Sequence, residues 1–464
     1  MLEPLVRNNL GRLQGIYDRF PSPARNVLTS ARGLPLARLR YSARTLTTLQ
    51  TLRSHERWSS EQLYAHQLNR IQETIDHARL TVPFYSQYPA VTMRSVEDLR
   101  CLPVLSRETV RRNPEYFCSA ATPHIRRLRA GTTGTTGSNL TVTYDERTLT
   151  DNWAFLLRQW AWAGVSAREP RVTFFGARIV PAERRRPPYW TFNLFERQLL
   201  LSIFHLSERT AAAYVECLRK SSGKLLEGFP SVLSILADFV LHSGEPVPMR
   251  VIFTSGEPLY PQVRAKFEQA FQTRVFDSYG MTELCGLIQQ CEHDSMHLAP
   301  DYGFLEILDS NGDPAPMDVE GDMVWTGFLN RTMPLIRYRV GDRGRWLDLK
   351  CPCGRSFPCV APSITRESDL LHLPDGRMFS PRALNQLLKD SYALRFCQFV
   401  HDGRDRVLVR AVPAEQGAAE QVSEIRERLQ HLLGLGIHVS AELCSEPIKR
   451  PGGKIPLIVA WVGA

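Results

Sequence analysis

The segment Arg250-Val-Ile-Phe-Thr-Ser-Gly-Glu-Pro258, running on through Val263–Gln272 to Arg274-Val-Phe-Asp-Ser-Tyr-Gly280, carries the reading of the fold. Two short apolar runs, VIFTS and VFDSYG, flank a stretch with the spacing of a helix. The same rhythm starts near Arg171 with VTFF and returns in FLEIL and DMVWTGF. Short strands alternating with helices predict an α/β fold whose sheet is built of mainly parallel strands.

Upstream, Leu63, Leu68, Ile71 and Ile75 recur at helical spacing after Ser59-Ser60, so an amphipathic helix is expected from Ser60 to His77. Asp98 to Arg112 reads as a helix end, a proline turn and a new helix capped by Ser106. Downstream, strands at Phe396–His401 and Val407–Val412, a helix over Glu420–Leu433 and a strand-like Ile437–Cys444 form a compact α+β pattern. The expected organisation is a basic helical lead-in over residues 1–60, a large α/β domain over 61–363 and a small mobile α+β domain over 364–464.

With 464 residues, 43% hydrophobic and 23% charged, the composition is that of a globular protein too long for one core. No run of 18 apolar residues occurs, which argues against a transmembrane segment. The start, MLEPLVRNNLGRLQ, lacks the apolar run of a secretory signal, and a cytoplasmic location is expected. Ten scattered cysteines in a long chain fit reduced thiols or a metal site better than a disulfide framework. The net charge of +9 is uneven, with ten arginines in residues 1–60 against Glu3, Asp18 and Glu56. A solvated or packed helix is the plainer reading of that segment, and no nucleic-acid-binding module accompanies it.

The loop Ala130-Gly131-Thr132-Thr133-Gly134-Thr135-Thr136-Gly137-Ser138 crowds glycines and threonines ahead of Leu140–Tyr144. Backbone N–H groups and hydroxyls in such a loop can cradle phosphate oxygens, because glycine allows close approach. It lacks the lysine of a Walker A loop. Alone it fits a plain turn as well. Further elements follow in order: Ser255-Gly256-Glu257-Pro258, then Asp277-Ser-Tyr-Gly-Met-Thr-Glu283, Tyr338-Arg-Val-Gly-Asp342, Arg366-Glu-Ser-Asp369 and Pro451-Gly-Gly-Lys454.

With these motifs in this order, the chain resembles the adenylate-forming superfamily of acyl-CoA synthetases and adenylation domains, on its phenylacetate-CoA ligase and CapK-like branch. The likeness runs from about residue 60 and includes Val82-Pro-Phe-Tyr85 and Gly228-Phe-Pro-Ser231. It implies a phosphate loop at Thr132, Thr133, Gly134, Thr135, Thr136 and Gly137, and an adenine site lined by Gly256, Glu257 and Pro258. It further implies that Tyr279, Gly280 and Thr282 lie at the nucleotide, with Glu283 holding Mg²⁺, a hard cation that prefers carboxylate oxygen. Asp342 would accept hydrogen bonds from the ribose hydroxyls, Arg366 would mark the hinge of the small domain, and Lys454 would stabilise charge developing during adenylation. Taken singly, Glu283 also suits a helix-start carboxylate and Asp342 a turn beside glycine. Thr133 and Asn139 stand where the family commonly has serine and proline, and Thr365 and Ser368 depart from its hinge pattern.

The activity implied is ATP-dependent, AMP-forming ligation of a carboxylic acid, with coenzyme A as the default acyl acceptor. A carrier-protein thiol or an amine is the rival acceptor, and an inactive ATP-binding scaffold is the reading from another class. Phe174, Phe175, Tyr189, Trp190, Phe192, Phe195 and Phe204 either line a flat acid pocket or fill the core, and core is the safer reading. Cys291, His297, Cys351 and Cys353 have the composition of a closed Cys₃His zinc site joining two loops, with His293 competing for the histidine position.

Overall fold

The computed structural model describes residues 17, 19–121, 127–132, 140–175, 179–181, 184–207, 209–221, 223–362, 371–379, 381–388, 391, 393–402, 404–413, 417–448 and 456–460. Thr133–Gly137 of the expected phosphate loop, Arg366 and Lys454 lie outside these residues, as does the expected hinge.

Among the described residues, thirteen strands form one large sheet. From one edge it runs Gly303–Leu308, Gly321–Gly327, Tyr338–Leu347, Cys359–Pro362, Met296–Leu298, Leu287–Gln290, Val275–Gly280, Val251–Ser255, Leu225–Gly228, Arg171–Phe174, Gln198–Leu201 and Trp190–Asn193. Leu105–Ser106 adds in parallel beside Tyr338–Leu347. The α/β expectation holds, with the parallel pairings, apart from that two-residue strand, gathered in the half from Gln198–Leu201 to Val275–Gly280. Beyond Gly280 the strands pair antiparallel with one another. Connection length accounts for the change. Only residues 281–286 join Val275–Gly280 to Leu287–Gln290, too few for the dozen or more that a parallel crossover requires.

The parallel strands are buried along most of their length, as expected where helices cover a sheet. Two covering helices, Pro230–His242 and Pro261–Phe271, pack together and open with proline. Its missing N–H has no partner to lose in a first turn. Gln272 ends the second helix in a left-handed conformation at φ 48°. Ser60–Thr81 is a helix with a Ser59–Gln62 capping box, and Ser106 caps Arg107–Arg112 by accepting from the Thr109 N–H.

The described part of the basic lead-in packs against the rest of the chain. Helices Ser22–Arg40 and Ala43–His55 lie against the Trp190–Asn193 strand and the Glu146–Trp162 helix. Arg25 and Arg40 are buried, and Arg40 reaches Glu196 at 2.7 Å. No described helix is long and apolar enough to cross a membrane.

The C-terminal strands form a separate sheet in the order His438–Leu443, Arg406–Pro413, Leu394–His401, Ile458–Ala460. Helix Ala418–Leu433 covers it and also meets the Ile203–His205 turn of the large sheet's region. Leu384, Phe399, Val409 and Leu429 thereby join Tyr214 and Leu233 in one continuous apolar cluster.

Candidate functional site

The motif Asp277–Glu283 straddles the change from parallel to antiparallel pairing. Tyr279 and Gly280 end a strand, and Glu283 sits in the turn that follows. Leu284 holds that turn with a left-handed φ of 53°, a conformation costing a non-glycine residue about 1–2 kcal/mol. Glu283 is buried, and its Oε1 accepts from Arg107 Nη1 at 3.2 Å and from the Tyr338 hydroxyl at 3.0 Å. The Tyr144 hydroxyl donates to the Thr282 carbonyl. Burial, reinforced by the Glu283 charge, pushes the Tyr338 phenol far up, so it remains a donor.

Asp342 follows Gly341, whose φ of 95° favours glycine at that bend. Its Oδ2 accepts from the Tyr279 hydroxyl at 2.8 Å. Tyr279 in turn stacks on Trp325, with ring centroids 6.3 Å apart and planes 17° from parallel. A Cβ at Gly286 would overlap the Trp325 ring, so glycine there makes room for the stack. Burial first, then the Asp342 charge, lifts the Tyr279 phenol well above its ordinary value.

Tyr279, Glu283 and Asp342 therefore meet in one place, through Tyr279–Asp342 and through Tyr338 of the Asp342 strand. Gly256 bends the chain after the neighbouring Val251–Ser255 strand at φ 85°, with Glu257 buried and Pro258 half-buried beside it. Thr132 ends the first strand of the hairpin Leu128–Thr132 and Leu140–Tyr144, whose register sets Thr132 opposite Leu140. The hairpin brackets the expected phosphate loop.

Sequence reading gave no role to Arg107. It begins the helix capped by Ser106, directly after the two-residue strand that pairs Leu105 with Tyr338, and that pairing carries it to Glu283. Of the aromatic residues over 170–205, Phe174 and Tyr189 are core, Phe192 and Phe195 are partly exposed, and Phe175 lines a cavity with Trp153, Trp160 and Phe253.

Cys291, His297, Cys351 and Cys353 converge, their ligand atoms all within 4.8 Å of one another. Cys291 Sγ lies 3.6 Å from Cys351 Sγ, and Cys353 Sγ lies 3.4 Å from His297 Nε2. A tetrahedron with ordinary Zn–S and Zn–N bonds has edges of about 3.8 Å and about 3.6 Å, so the donor set fits zinc. His297 Nδ1 donates to the Phe357 carbonyl at 2.8 Å, leaving Nε2 to face the thiols. Burial lowers the His297 pKa and favours the neutral ring. His293 is exposed and outside the cluster. Beside it, Arg355 bridges Glu56 and Glu292 at 2.9 and 2.8 Å and so ties the end of a lead-in helix to this corner.

A model of the AMP-binding enzyme family matches residues 199–330, the span that carries Gly256–Pro258 and Tyr279–Glu283. With the fold and the motif order, this match makes the chain similar to AMP-binding enzymes of the adenylate-forming superfamily. In particular, it is 22% identical over 459 residues to protein CapK of Staphylococcus aureus, covering 95% of this chain and 98% of that protein. It is 23% identical over 440 residues to the phenylacetate-coenzyme A ligase of Pseudomonas putida, covering 85% and 93%. Its fold is similar to that of a 2-hydroxyisobutyryl-CoA ligase solved with 2-HIB-AMP and CoA, at a TM-score of 0.59, 20% identity and coverage of 88% and 91%.

Proposed function

We propose that this enzyme is an AMP-forming carboxylate ligase that joins a carboxylic acid to the α-phosphate of ATP, releases pyrophosphate, and passes the acyl group to coenzyme A. The observation that carries the reading is the meeting of Tyr279, Glu283 and Asp342, drawn from two separated motifs, at the end of the parallel strands. Ligands of open α/β sheets bind at such carboxyl ends.

In this reading Tyr279 lies against the nucleotide, Gly256–Pro258 and Thr282 shape its base pocket, and Asp342 exchanges its bond from Tyr279 for the ribose hydroxyls. Thr132–Gly137 wraps the phosphates. Glu283 is the carboxylate that would hold Mg²⁺, which would offset the negative charge of the phosphates. Arg107, now paired with Glu283, is then released toward the anionic phosphates. Lys454 reaches the reacting carboxylate and α-phosphate from a small domain that turns about the Arg366 hinge, with residues 364–464 as its extent. Cys291, His297, Cys351 and Cys353 hold zinc as a structural tie, and the enzyme works in the cytoplasm, where ATP is supplied and thiols stay reduced.

Similarity to phenylacetate-coenzyme A ligases supports coenzyme A as acceptor. The test is product analysis with ATP, Mg²⁺, an acid and each acceptor in turn. Acyl-CoA and AMP are expected. AMP formed only with an amine or a carrier-protein thiol would replace the acceptor, and ADP would overturn the reaction class.

A further inference from the structure

The cavity lined by Phe175 lies at the carboxyl ends of the parallel strands, where Thr173, Glu227, Thr254 and Ser278 face it from four neighbouring strands. Ser255 and Ser278 of its lining directly precede Gly256 and Tyr279, so it lies beside the nucleotide motifs. Trp153, Trp160, Phe175 and Phe253 give it aromatic walls, with Trp160 and Phe253 stacked at 5.9 Å. Apart from Leu156, the rest of the lining is polar and includes two charged groups, Arg40 and Glu227.

Those charges belong to a buried chain of ion pairs. Arg40 Nη1 bonds Glu196 at 2.7 Å with its guanidinium 4.2 Å from the Trp153 ring centre. Arg171 bonds the same Glu196 and reaches Glu227 Oε1 at 3.0 Å. The Thr173 hydroxyl donates to Glu227 Oε1 at 2.6 Å while accepting from Gln198 at 2.7 Å. Oε1 is thus doubly engaged, and Oε2 has no protein partner among the described residues. A carboxylate held rigidly by one oxygen, with the other left over in an aromatic cavity, is an anchor for a donor.

We infer that the acid this enzyme activates is an aryl acid bearing a hydrogen-bond donor, a hydroxyl or an amine, at the end remote from its carboxylate, and that Glu227 Oε2 receives that donor. The inference rests on the ligase reading above and specifies its substrate. An unsubstituted ring would strip water from Oε2 and return no bond. Sites built to bond a substrate OH or NH reject analogues that lack it far more strongly than apolar pockets reject an extra group. Arg40 makes the lead-in helix a wall of this pocket, since its pairing with Glu196 fixes the acidic side of the network on which Arg171 and Glu227 are hung.

The experiment uses the full chain and pairs of aryl acids that differ only by a hydroxyl or amino group. Adenylation is read by ATP–pyrophosphate exchange, and binding by the ligand-induced shift in melting temperature. Wild type is expected to favour the donor-bearing member of at least one pair by about tenfold or more in kcat/KM. In Glu227→Gln the amide oxygen can keep the bonds from Arg171 and Thr173 while an NH₂ group replaces Oε2, so the ratio should fall toward one. Exchange with equal or greater efficiency for every unsubstituted acid would overturn the substrate class and leave the ligase reading standing. An undiminished ratio in Glu227→Gln would overturn the role of Glu227. Neither exchange nor thermal shift with any acid would remove the ligase reading and this inference together. Should the variant fail to fold, the wild-type ranking alone decides the substrate class.

Discussion

The proposed nucleotide corner and the thiol corner use the same run of chain, Val275 to His297, yet they are held in opposite ways. At the thiol corner the four donors from the Cys291 turn, the His297 strand and the Cys351–Cys353 turn already stand within 4.8 Å of one another, with two separations of 3.6 and 3.4 Å close to the edges of a zinc tetrahedron. At the nucleotide corner the carboxylates are occupied by groups of the protein itself, Glu283 by Arg107 and Tyr338 and Asp342 by Tyr279. A prebuilt donor set suits a tie that stays in place. Exchangeable pairs suit a site that must take up and release a charged ligand, above all at the buried Glu283, where a bare carboxylate is expensive, while Asp342 is exposed.

The comparison is tested most severely at Lys454. Lys454→Ala is expected to lower pyrophosphate-forming turnover by about 10²–10³, the scale on which loss of one preorganised charge-stabilising group acts. A supplied acyl-adenylate should still react with the acceptor, and the melting temperature should hardly move. Equal loss in both half-reactions would show that Lys454 serves folding or general binding.

Next in size are the exchangeable pairs. Glu283→Gln should weaken Mg²⁺-dependent use of ATP and Asp342→Ala should raise the KM for ATP, each by about ten- to a hundredfold, the worth of a charge-assisted hydrogen bond. Steady-state kinetics over ATP and Mg²⁺ concentrations check both. Unchanged kinetics in the two variants would mean that these carboxylates serve only their present protein partners.

The thiol corner should give a smaller effect on chemistry and a plain one on composition. Protein purified without added metal is expected to carry about one zinc per chain by elemental analysis. Cys291→Ser or Cys353→Ser should abolish it and lower the melting temperature by several degrees, whereas His293→Ala should leave the metal content intact. Zinc lost with His293→Ala would move the site.

Much of the fold was legible because strand and helix signals are local. The runs at Val251–Ser255 and Val275–Gly280, the helix between them and the capped helix after Ser59 all appear where their sequence places them. Strand direction is not local. Parallel pairing, extrapolated from the 250–280 unit, fails where short links force antiparallel neighbours, as at residues 281–286.

The candidate site was legible where its residues belong to motifs and illegible where they come from far along the chain. Arg107 finds Glu283 across 176 positions, and only the pairing of Leu105 with Tyr338 brings it there. Arg40 carries no signal of its own among the ten lead-in arginines, because its partner Glu196 lies 156 positions away. Of seven aromatics flagged between 174 and 204, the cavity takes Phe175 and fills its other aromatic walls with Trp153, Trp160 and Phe253. The thiol corner was readable because cysteine and histidine are few and their chemistry is narrow.

The most direct test of the ligase account is ATP–pyrophosphate exchange by the full chain, measured with Mg²⁺ across a panel of carboxylic acids that includes the hydroxylated and aminated aryl pairs. Label from pyrophosphate should enter ATP only when a carboxylic acid is present, with AMP as the nucleotide product once an acceptor is added. Exchange that needs no acid, or turnover that yields ADP and phosphate, would contradict it.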